Sequence, residues 1–472
     1  MIPMTLSEIA EVVGGTVHGV GETVVTGAAF HDSRAPQPGG LFVAMVGERV
    51  DGHDFVDAAV TAGAVAVLGS RPTTAPTVVV PDPQAALGEL ARHVLGGLTA
   101  SVVALTGSQG KTGTKDLVAH VLARVGTVVA TEGSENNELG LPLTVLRATP
   151  GTEYVVLEMG ARGAGHLTYL CRIAPPDVAL VLNVGKAHVG EFGSVAAIAR
   201  AKGELVEALA DSGVAVLNAD DPLVAAMAAR TSARVLTFGE ASADVRIEGL
   251  TTDALGHPSF DLATSANRAH VSMRLVGEHQ ALNAAAAATV AVALGIPLDV
   301  AAGALSQAGP ASRWRMELRE RRDGVVVIND AYNANPDSMR AALTTLSGIG
   351  RARQRGRTIA VLGEMRELGA SSPAEHAGVG TLAVQLGIDR LVVVGEPARP
   401  LHDAAGLAGS ANGASVFVSD GAGALAWLRD HLAPGDVVLV KASRAAALER
   451  VAEALFDDET DDPAQTDEEA EA

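Results

Sequence analysis

Cysteine is nearly missing: Cys171 is the only one in 472 residues. That excludes a disulfide framework and a multi-cysteine metal site, and it fits a reducing cytosol, so a cytoplasmic location is expected. Aromatic residues make up only 3%, so the cores must be aliphatic, and a hydrophobic content of 48% supplies the material. No apolar run approaches the ~20 residues that a membrane span requires. The opening stretch "MIPMTLSEIAEVVGG" has no basic region and carries Glu8 and Glu11, so it does not read as a signal peptide. Positive charge is in short supply: 35 Lys and Arg stand against 55 Asp and Glu, for a formal net charge of -20. An acidic body argues against nucleic acid as substrate. The final stretch "DDETDDPAQTDEEAEA", residues 457–472, has no Lys or Arg and reads as an acidic disordered tail.

Glycine is plentiful, with 52 residues, which points to many tight turns. The length predicts two to four domains at ~100–200 residues each. Residues 1–98 open on a helical pattern (Leu6, Ile9, Ala10, Val13). Short apolar segments follow ("GGLFVAMVG", "AVAVLGS", "PTVVVPD"), as in a small α/β domain. From 99 to 310, strands such as "SVVALTG", "EYVVLEMG", "DVALVLNVG" and "GVAVLNADD" alternate with helical stretches, which predicts a doubly wound, mostly parallel sheet. From 311 to 456, "TIAVLG", "RLVVVG", "SVFVS" and "DVVLVK" predict a second open α/β sheet. The expected fold is therefore α/β with three domains. "GRTIAVLGEM" lacks G-x-G-x-x-G, so no nicotinamide site is read there.

The segment carrying most chemistry is "LTGSQGKTGTKD". A standard phosphate loop is G-x-x-x-x-G-K-[ST]. Here the first glycine is Gly107, so the loop is two residues shorter, G-x-x-G-K-T. It follows a buried strand and opens a helix. Backbone N–H groups from Gly107 through Ser108, Gln109, Gly110, Lys111, Thr112 and Gly113 can cradle a polyphosphate at the positive end of the helix. Lys111 can reach the outer phosphates as a point charge. Thr112 can offer its hydroxyl to magnesium. Glu158 ends the strand "YVVLE", where a carboxylate falls in the ligand crevice of such a sheet and can ligate magnesium; a plain strand-end glutamate is the alternative. In "SVAAIARAKGELVEALA", Ile198, Lys202, Leu205 and Leu209 share one helical face, which sets Lys202 on the apolar stripe. Burial there lowers a lysine pKa, unless the chain snorkels off the helix edge.

"TGSQGKTGTKD" resembles the ATP loop of the Mur ligases of peptidoglycan synthesis and of their folylpolyglutamate synthetase relatives. "TEGSENNELGLPLTVL", "VLEMGARGAGHL", "NVGKAHVGEFGS", "ARAKGELV", "GEHQALNAAAA", "DAYNANPDSMRAAL", "VLGEMRELG" and "VKASRAAALERV" follow in family order over nearly the whole chain. The combination looks like the branch that joins D-alanyl-D-alanine to UDP-N-acetylmuramoyl-tripeptide. The resemblance implies a UDP-substrate-binding domain, an ATP-binding domain and a C-terminal Rossmann-like domain. It also implies ATP, two magnesium ions, an acyl-phosphate intermediate, and a monomer is expected.

Site residues carry over by position. The resemblance makes His188 a ligand of the second magnesium, although a lone histidine is often structural. It implies that Lys202 is a carbamate, formed by a neutral amine and carbon dioxide. Asn283 and Asn333 are expected at the adenine edge, Asp330 at the ribose, and Arg313 near the ribose and phosphates. Ser33, Arg34, Arg49 and His53 are expected at the uridine part, and Asn136 and Asn137 between the domains. Ser134 stands where the family often has Asn. Lys441, Ser443 and Arg444 are expected to orient the incoming dipeptide or the outer phosphate, with Glu364 a further candidate. A Mur ligase that adds a single amino acid is the nearest alternative, but no D-N-P-R-like motif is present. Folylpolyglutamate synthetase is disfavoured by the uridine-like N-terminal part. A non-catalytic nucleotide-binding regulator would not need Glu158, His188 and Lys202 together.

Overall fold

The computed structural model describes residues 1–47, 49–185, 189–240, 242–353, 355–409 and 414–457. His188 and all but the first residue of the acidic stretch lie outside the described residues.

The middle of the chain builds a nine-stranded sheet. Its order is Arg268–Ser272, Pro258–Ala263, Val245–Thr252, Arg234–Gly239, Val214–Asn218, Val178–Val181, Ser101–Thr106, Tyr154–Glu158, Val128–Ala130. The strands are parallel from Val128–Ala130 as far as Val245–Thr252. The apolar runs that predicted strands form them because both faces are covered. Val102, Ala104, Val155 and Leu157 point into one core, and Val103, Leu105 and Val156 into the other. Pro258–Ala263 and Arg268–Ser272, at the other edge, pair antiparallel, and Pro258–Ala263 carries an in-out pattern. The chain leaves Ser101–Thr106 for one side of the sheet and later returns to the other, so the loop after this strand sits at a topological switch point, where ligand crevices form.

The helix His279–Ala293 is buried nearly all round. Its run of alanines, Ala284 to Ala288, keeps the cylinder thin and lets it lie close against Lys111–Leu122 and the sheet. Ser194 caps Val195–Glu207 by accepting from Ala197 N, and Lys202 within it is only 5% exposed.

Residues near the N-terminus form a five-stranded sheet, ordered Thr16–His18, Thr77–Val79, Ala66–Gly69, Leu41–Val43, Ala29–Phe30. The helix Pro83–Gly96, capped by Asp82, was not anticipated from the sequence. It joins Leu87, Leu90 and Val94 to the same core as Leu141, Leu167 and Leu170, so this part and the nine-stranded sheet share one apolar interior.

The C-terminal sheet has six strands, not four: Glu317–Glu320, Val326–Asn329, Val437–Lys441, Thr358–Leu362, Arg390–Val394, Ser415–Val418. Only the first is antiparallel. Its residues also alternate between two cores, with Val326 and Ile328 on one side and Val325 and Val327 on the other.

Two glycines in the helix Ser372–Gln385 test how closely that layer is packed. A Cβ on Gly380 would fall 2.1 Å from the Leu401 carbonyl oxygen, whereas one on Gly378 meets nothing within 4 Å. Gly378→Ala should therefore stabilise by roughly 0.5–1 kcal/mol through reduced backbone freedom. Gly380→Ala should destabilise by about 1–3 kcal/mol. Denaturant unfolding of both variants beside the parent checks the opposite signs.

Candidate active site

A cleft of about 360 Å³ opens over the short glycine loop, between the nine-stranded and six-stranded sheets. The loop turns through Gly110 at φ 77°, in the left-handed region, and the helix Lys111–Leu122 starts at once. A side chain at Gly110 would also press on Asn283 Oδ1 at 2.8 Å, so two independent reasons demand glycine there. The loop is braced by Asn183, just beyond the neighbouring strand Val178–Val181. Its Oδ1 accepts from Ser108 N (2.9 Å) and Gln109 N (3.0 Å), and its Nδ2 donates to the Gln109 carbonyl (3.1 Å). Ser108 Oγ accepts from Gly185 N at 2.8 Å. Asn183 went unremarked in the sequence, where its only signal is a polar residue just past a buried strand.

Lys111 donates to the Gly107 carbonyl at 2.9 Å. Burial pushes its pKa down, the Glu158 carboxylate opposes this, Arg315 adds to it, and Glu367 opposes it. Lys202 shares the cleft, and burial drives its pKa well below the usual lysine value, with the Lys111 charge adding. Glu158 is 1% exposed. Its Oε1 accepts from Asn136 Nδ2 at 2.7 Å, and its Oε2 is buried with no hydrogen bond inside the protein. Such an atom is costly unless something else completes it. Among the described residues no three His, Cys, Asp or Glu side chains gather as a metal cluster.

The structure separates the two arginines of "SRWRME". Arg313 has a side chain 76% exposed and pairs with Glu453 at 3.4 Å. Arg315 turns inward instead, donates to Thr112 Oγ1 at 3.0 Å, and lies over the Tyr332 ring at 4.2 Å. In an extended chain residues i and i+2 point the same way. Here Trp314 (φ 59°) and Met316 (φ 50°) are left-handed, which sends the two apart. That strain is held by Trp314 Nε1 donating to Glu453 (2.9 Å) and Met316 N donating to Asp330 Oδ1 (3.2 Å). Arg313, expected near the ribose and phosphates, thus faces out and Arg315 lines the cleft, and nothing in the sequence announces the dihedrals that part them.

Asn283, Asp330, Asn333 and Lys441 all line the cleft. Asn283 Nδ2 donates to Gln280 Oε1 at 3.0 Å. Lys441 is buried and donates to Asp330 Oδ2 (2.6 Å) and the Asn333 carbonyl (2.9 Å), so it braces the 330–333 turn. Ser443 Oγ accepts from Arg366 N at 2.9 Å, and Arg444 pairs with Glu449 and stacks on Trp314 at 4.3 Å. Both therefore shape loops around the cleft without lining it. Glu364 pairs with Arg366 at 3.5 Å and does not line the cleft either; Glu367, three residues on, does. Asn137 Oδ1 accepts from Leu139 N and Gly140 N at the start of Gly140–Val145, and Ser134 is hydrogen-bonded to Tyr332. His279, unremarked in the sequence, also lines the cleft; burial pushes its pKa down and its Nδ1 is buried without a partner in the protein.

Ser33, Arg34, Arg49 and His53 lie in the N-terminal part, away from this cleft. Arg34 is exposed and its guanidinium holds the Asp32 carboxyl down to about 2. His53 uses both ring nitrogens: Nε2 accepts from Ser70 N (3.0 Å), so Nδ1 carries the proton toward Asp51 (2.6 Å). It rivets the 51–53 turn to the end of a strand. A second cleft joins His31 to Ser134, Asn137 and Tyr332, between the N-terminal part and the other two sheets.

This arrangement, a short glycine loop with a buried carboxylate and two lysines beneath a second α/β sheet, is that of an ATP-using ligase fold. Residues 29–94 match the catalytic domain of the Mur ligase family, 105–291 the Mur ligase middle domain, and 314–444 the Mur ligase glutamate ligase domain. The chain belongs to the Mur ligase family. It is 47% identical to UDP-N-acetylmuramoyl-tripeptide–D-alanyl-D-alanine ligase of Mycobacterium tuberculosis (strain ATCC 25618 / H37Rv), covering 98% of this chain and 99% of that protein. With the ligase of the same name from Escherichia coli (strain K12) it is 36% identical, over 98% and 100% of the two chains. Among solved structures it resembles MurF from Acinetobacter baumannii (TM-score 0.85, 32% identity, 96% of this chain and 99% of that one). It also resembles the MurF ligase from Thermotoga maritima in complex with ADP (TM-score 0.78, 32% identity, 92% and 98%).

The inward arginine can be checked directly. Arg315→Ala should lower ATP-dependent turnover by about 10²–10³, the usual cost of removing one preorganised charge at a transferring phosphoryl group. Arg313→Ala should change it by less than about threefold, in keeping with an exposed ion pair. Steady-state kinetics of both variants distinguish the two.

Proposed function

We propose that this chain joins D-alanyl-D-alanine to UDP-N-acetylmuramoyl-tripeptide at the expense of ATP, making an amide bond of a peptidoglycan precursor. The reading is carried by the convergence of Lys111, Glu158 and Lys202 under the glycine loop, in a chain similar from end to end to ligases of that name. Amide formation needs a carboxylate oxygen converted to a leaving group. The acid's oxygen attacks the outer phosphorus of ATP, ADP departs, and the resulting acyl phosphate is opened by the amine with loss of phosphate.

The chain's own groups supply positioning and charge. Loop N–H groups face the phosphates, and Lys111, freed from the Gly107 carbonyl, follows the outer phosphate. Arg315 brings a second cation from the C-terminal sheet when the two sheets close on the substrates. Asn136 fixes the rotamer of Glu158. Magnesium fits this site, because Glu158 Oε2 is buried and unbonded and the Thr112 hydroxyl stands at the loop. Glu158, Thr112 and a carbamylated Lys202 would hold it, with His188 as the family's further ligand for a second ion. When bound, it screens the repulsion between the acid and the triphosphate. Carbamate formation requires a neutral amine, and the burial that lowers the Lys202 pKa favours that form and so supports the modification.

In the same reading, residues 1–98 take the UDP end, 99–310 the ATP and 311–456 the incoming dipeptide. Ser33, Arg34 and Arg49 are the N-terminal contacts, and Asn136 and Asn137 meet the substrate between domains. Asn283, Asn333 and Asp330 serve the nucleoside of ATP. His53, Ser443 and Arg444 act through the loops they hold.

Phosphate release measured with UDP-muramoyl-tripeptide and D-alanyl-D-alanine should show turnover, and Lys111→Ala should abolish it; turnover only with single amino acids or only with a folate sinks the assignment. For Lys202, enzyme equilibrated with ¹³C-bicarbonate should show a carbamate carbon resonance that is lost in Lys202→Arg, and activity should fall in buffer stripped of carbon dioxide.

A further inference from the structure

Lys115 is 4% exposed, sits one helical turn past Lys111, and is not used by the phosphate site described above. A buried ammonium is kept only where partners hold it. Its Nζ donates to the Thr131 carbonyl at 2.8 Å and pairs with Asp116 Oδ1 at 2.5 Å. Thr131 Oγ1 accepts in turn from Glu158 N at 3.1 Å. The other oxygen of Asp116, Oδ2, accepts from Ser312 Oγ at 2.6 Å. Ser312 lies in the stretch that leads from the nine-stranded sheet to the six-stranded one, three residues before Arg315. One chain of polar contacts thus runs from the backbone of the buried carboxylate, through Thr131, Lys115 and Asp116, to the link between the two sheets.

The register of the link on the helix gives these contacts a purpose. Thr112 and Asp116 stand at i and i+4 on Lys111–Leu122, so they share one face of it. Ser312 and Arg315 meet them in reverse order: Ser312 bonds to Asp116, and Arg315 bonds to Thr112 at 3.0 Å. The link therefore rests on the phosphate-loop helix by two rungs. The rung at Thr112 has to open before Arg315 can turn to a phosphate oxygen. The guanidinium has a donor ready for that, because its Nε is buried without a hydrogen-bond partner among the described residues. The rung at Asp116 lies a turn farther from the loop, and Lys115 holds its carboxylate in place. On its other side the link is moored to the C-terminal helix Glu449–Asp457, where Trp314 Nε1 donates to Glu453 at 2.9 Å.

We propose that Asp116 is a positioning residue for phosphoryl transfer: through Ser312 it fixes the link on the phosphate-loop helix, so that Arg315 keeps its aim once it has left Thr112. The inference rests on the phosphate-facing role given to Arg315 above and adds the residues that aim it. Neither Asp116 nor Ser312 lines the cleft, so both act through the arginine. Lys115 works one step further back, tying the Asp116 carboxylate to the strand side of the site through Thr131. A cation at a transferring phosphoryl group is worth most when nothing has to reorder at the moment of reaction, and a small misplacement is costly.

Asp116→Ala would also strand the buried Lys115 charge, so Ser312 is the cleaner probe. In Ser312→Ala, kcat for ATP-dependent ligation should fall about tenfold while the KM for ATP stays within about twofold of the parent, because the loop itself is untouched. Ser312→Thr, which keeps the hydroxyl, should return kcat to within about threefold of the parent. The deciding comparison is a double-mutant cycle. Arg315→Ala alone should lose about 10²–10³-fold, and adding Ser312→Ala to it should cost less than about twofold more, since no cation is left to aim. An equal factor for Ser312→Ala in both backgrounds, or a Ser312→Ala enzyme with the parent's kcat, overturns the positioning role. Full activity in Arg315→Ala overturns the role of that arginine and this inference with it. A parent enzyme that releases no phosphate with UDP-muramoyl-tripeptide and D-alanyl-D-alanine overturns the functional reading itself, and is told apart because no variant is needed to see it.

Discussion

A grip on a polyphosphate requires backbone N–H groups turned outward with no side chain in their way, and the site depends on the turn that achieves this in two fewer residues than usual. Gly110 supplies the left-handed dihedral and the clearance toward Asn283. Asn183 supplies the stiffness, since one side-chain amide serves two loop N–H groups and one carbonyl. Lys111 and Thr112 follow at once on the first turn of the helix, so both side chains are placed by the loop alone. Arg315 reaches Thr112 only because this turn sets the hydroxyl where it is.

Around that turn the electrostatics oppose one another by design. Two lysines and an arginine share this space with one buried carboxylate, and the Arg315 charge weighs against that on Lys111 as the Lys111 charge does against that on Lys202. The arrangement is uneasy for the protein by itself and well suited to a triphosphate and an acid, whose negative charges arrive together. Burial weighs most on Lys202, which sits deepest on an apolar helix face and has no carboxylate among the causes of its shift.

Much of this was legible beforehand, for identifiable reasons. The parallel strands were readable because their apolar runs are uninterrupted, and the loop because its glycines fall at a strand–helix junction. Lys202 was readable because its neighbours at i−4, i+3 and i+7 are all aliphatic. What escaped depends on contacts distant in sequence or on single dihedrals. Asn183 is 74 residues from the nearer of the two backbone groups it receives. Arg315 and Arg313 differ only through the left-handed backbone at Trp314. Glu367 and Glu364 share a motif, and the backbone bonds that His376 and Ser443 accept in between decide which one faces the cleft. The antiparallel strands Pro258–Ala263 and Arg268–Ser272 were missed because short alternating segments beside a long helix give a weak period.

The apolar interior is divided unevenly among the three large sheets. The N-terminal sheet and the nine-stranded sheet draw on one continuous core, from Leu6 and Leu90 through to Leu205. Among the described residues, the cores of the six-stranded sheet take one buried residue, Val276, from outside residues 316–455. Mechanically, then, the molecule is a heavy two-sheet anvil and a single lighter jaw. The chain passes from one to the other through the left-handed Trp314–Met316 link, and Arg315 on that link rests against Thr112 of the phosphate loop, so the link ties the jaw to the anvil at the point where the loop ends.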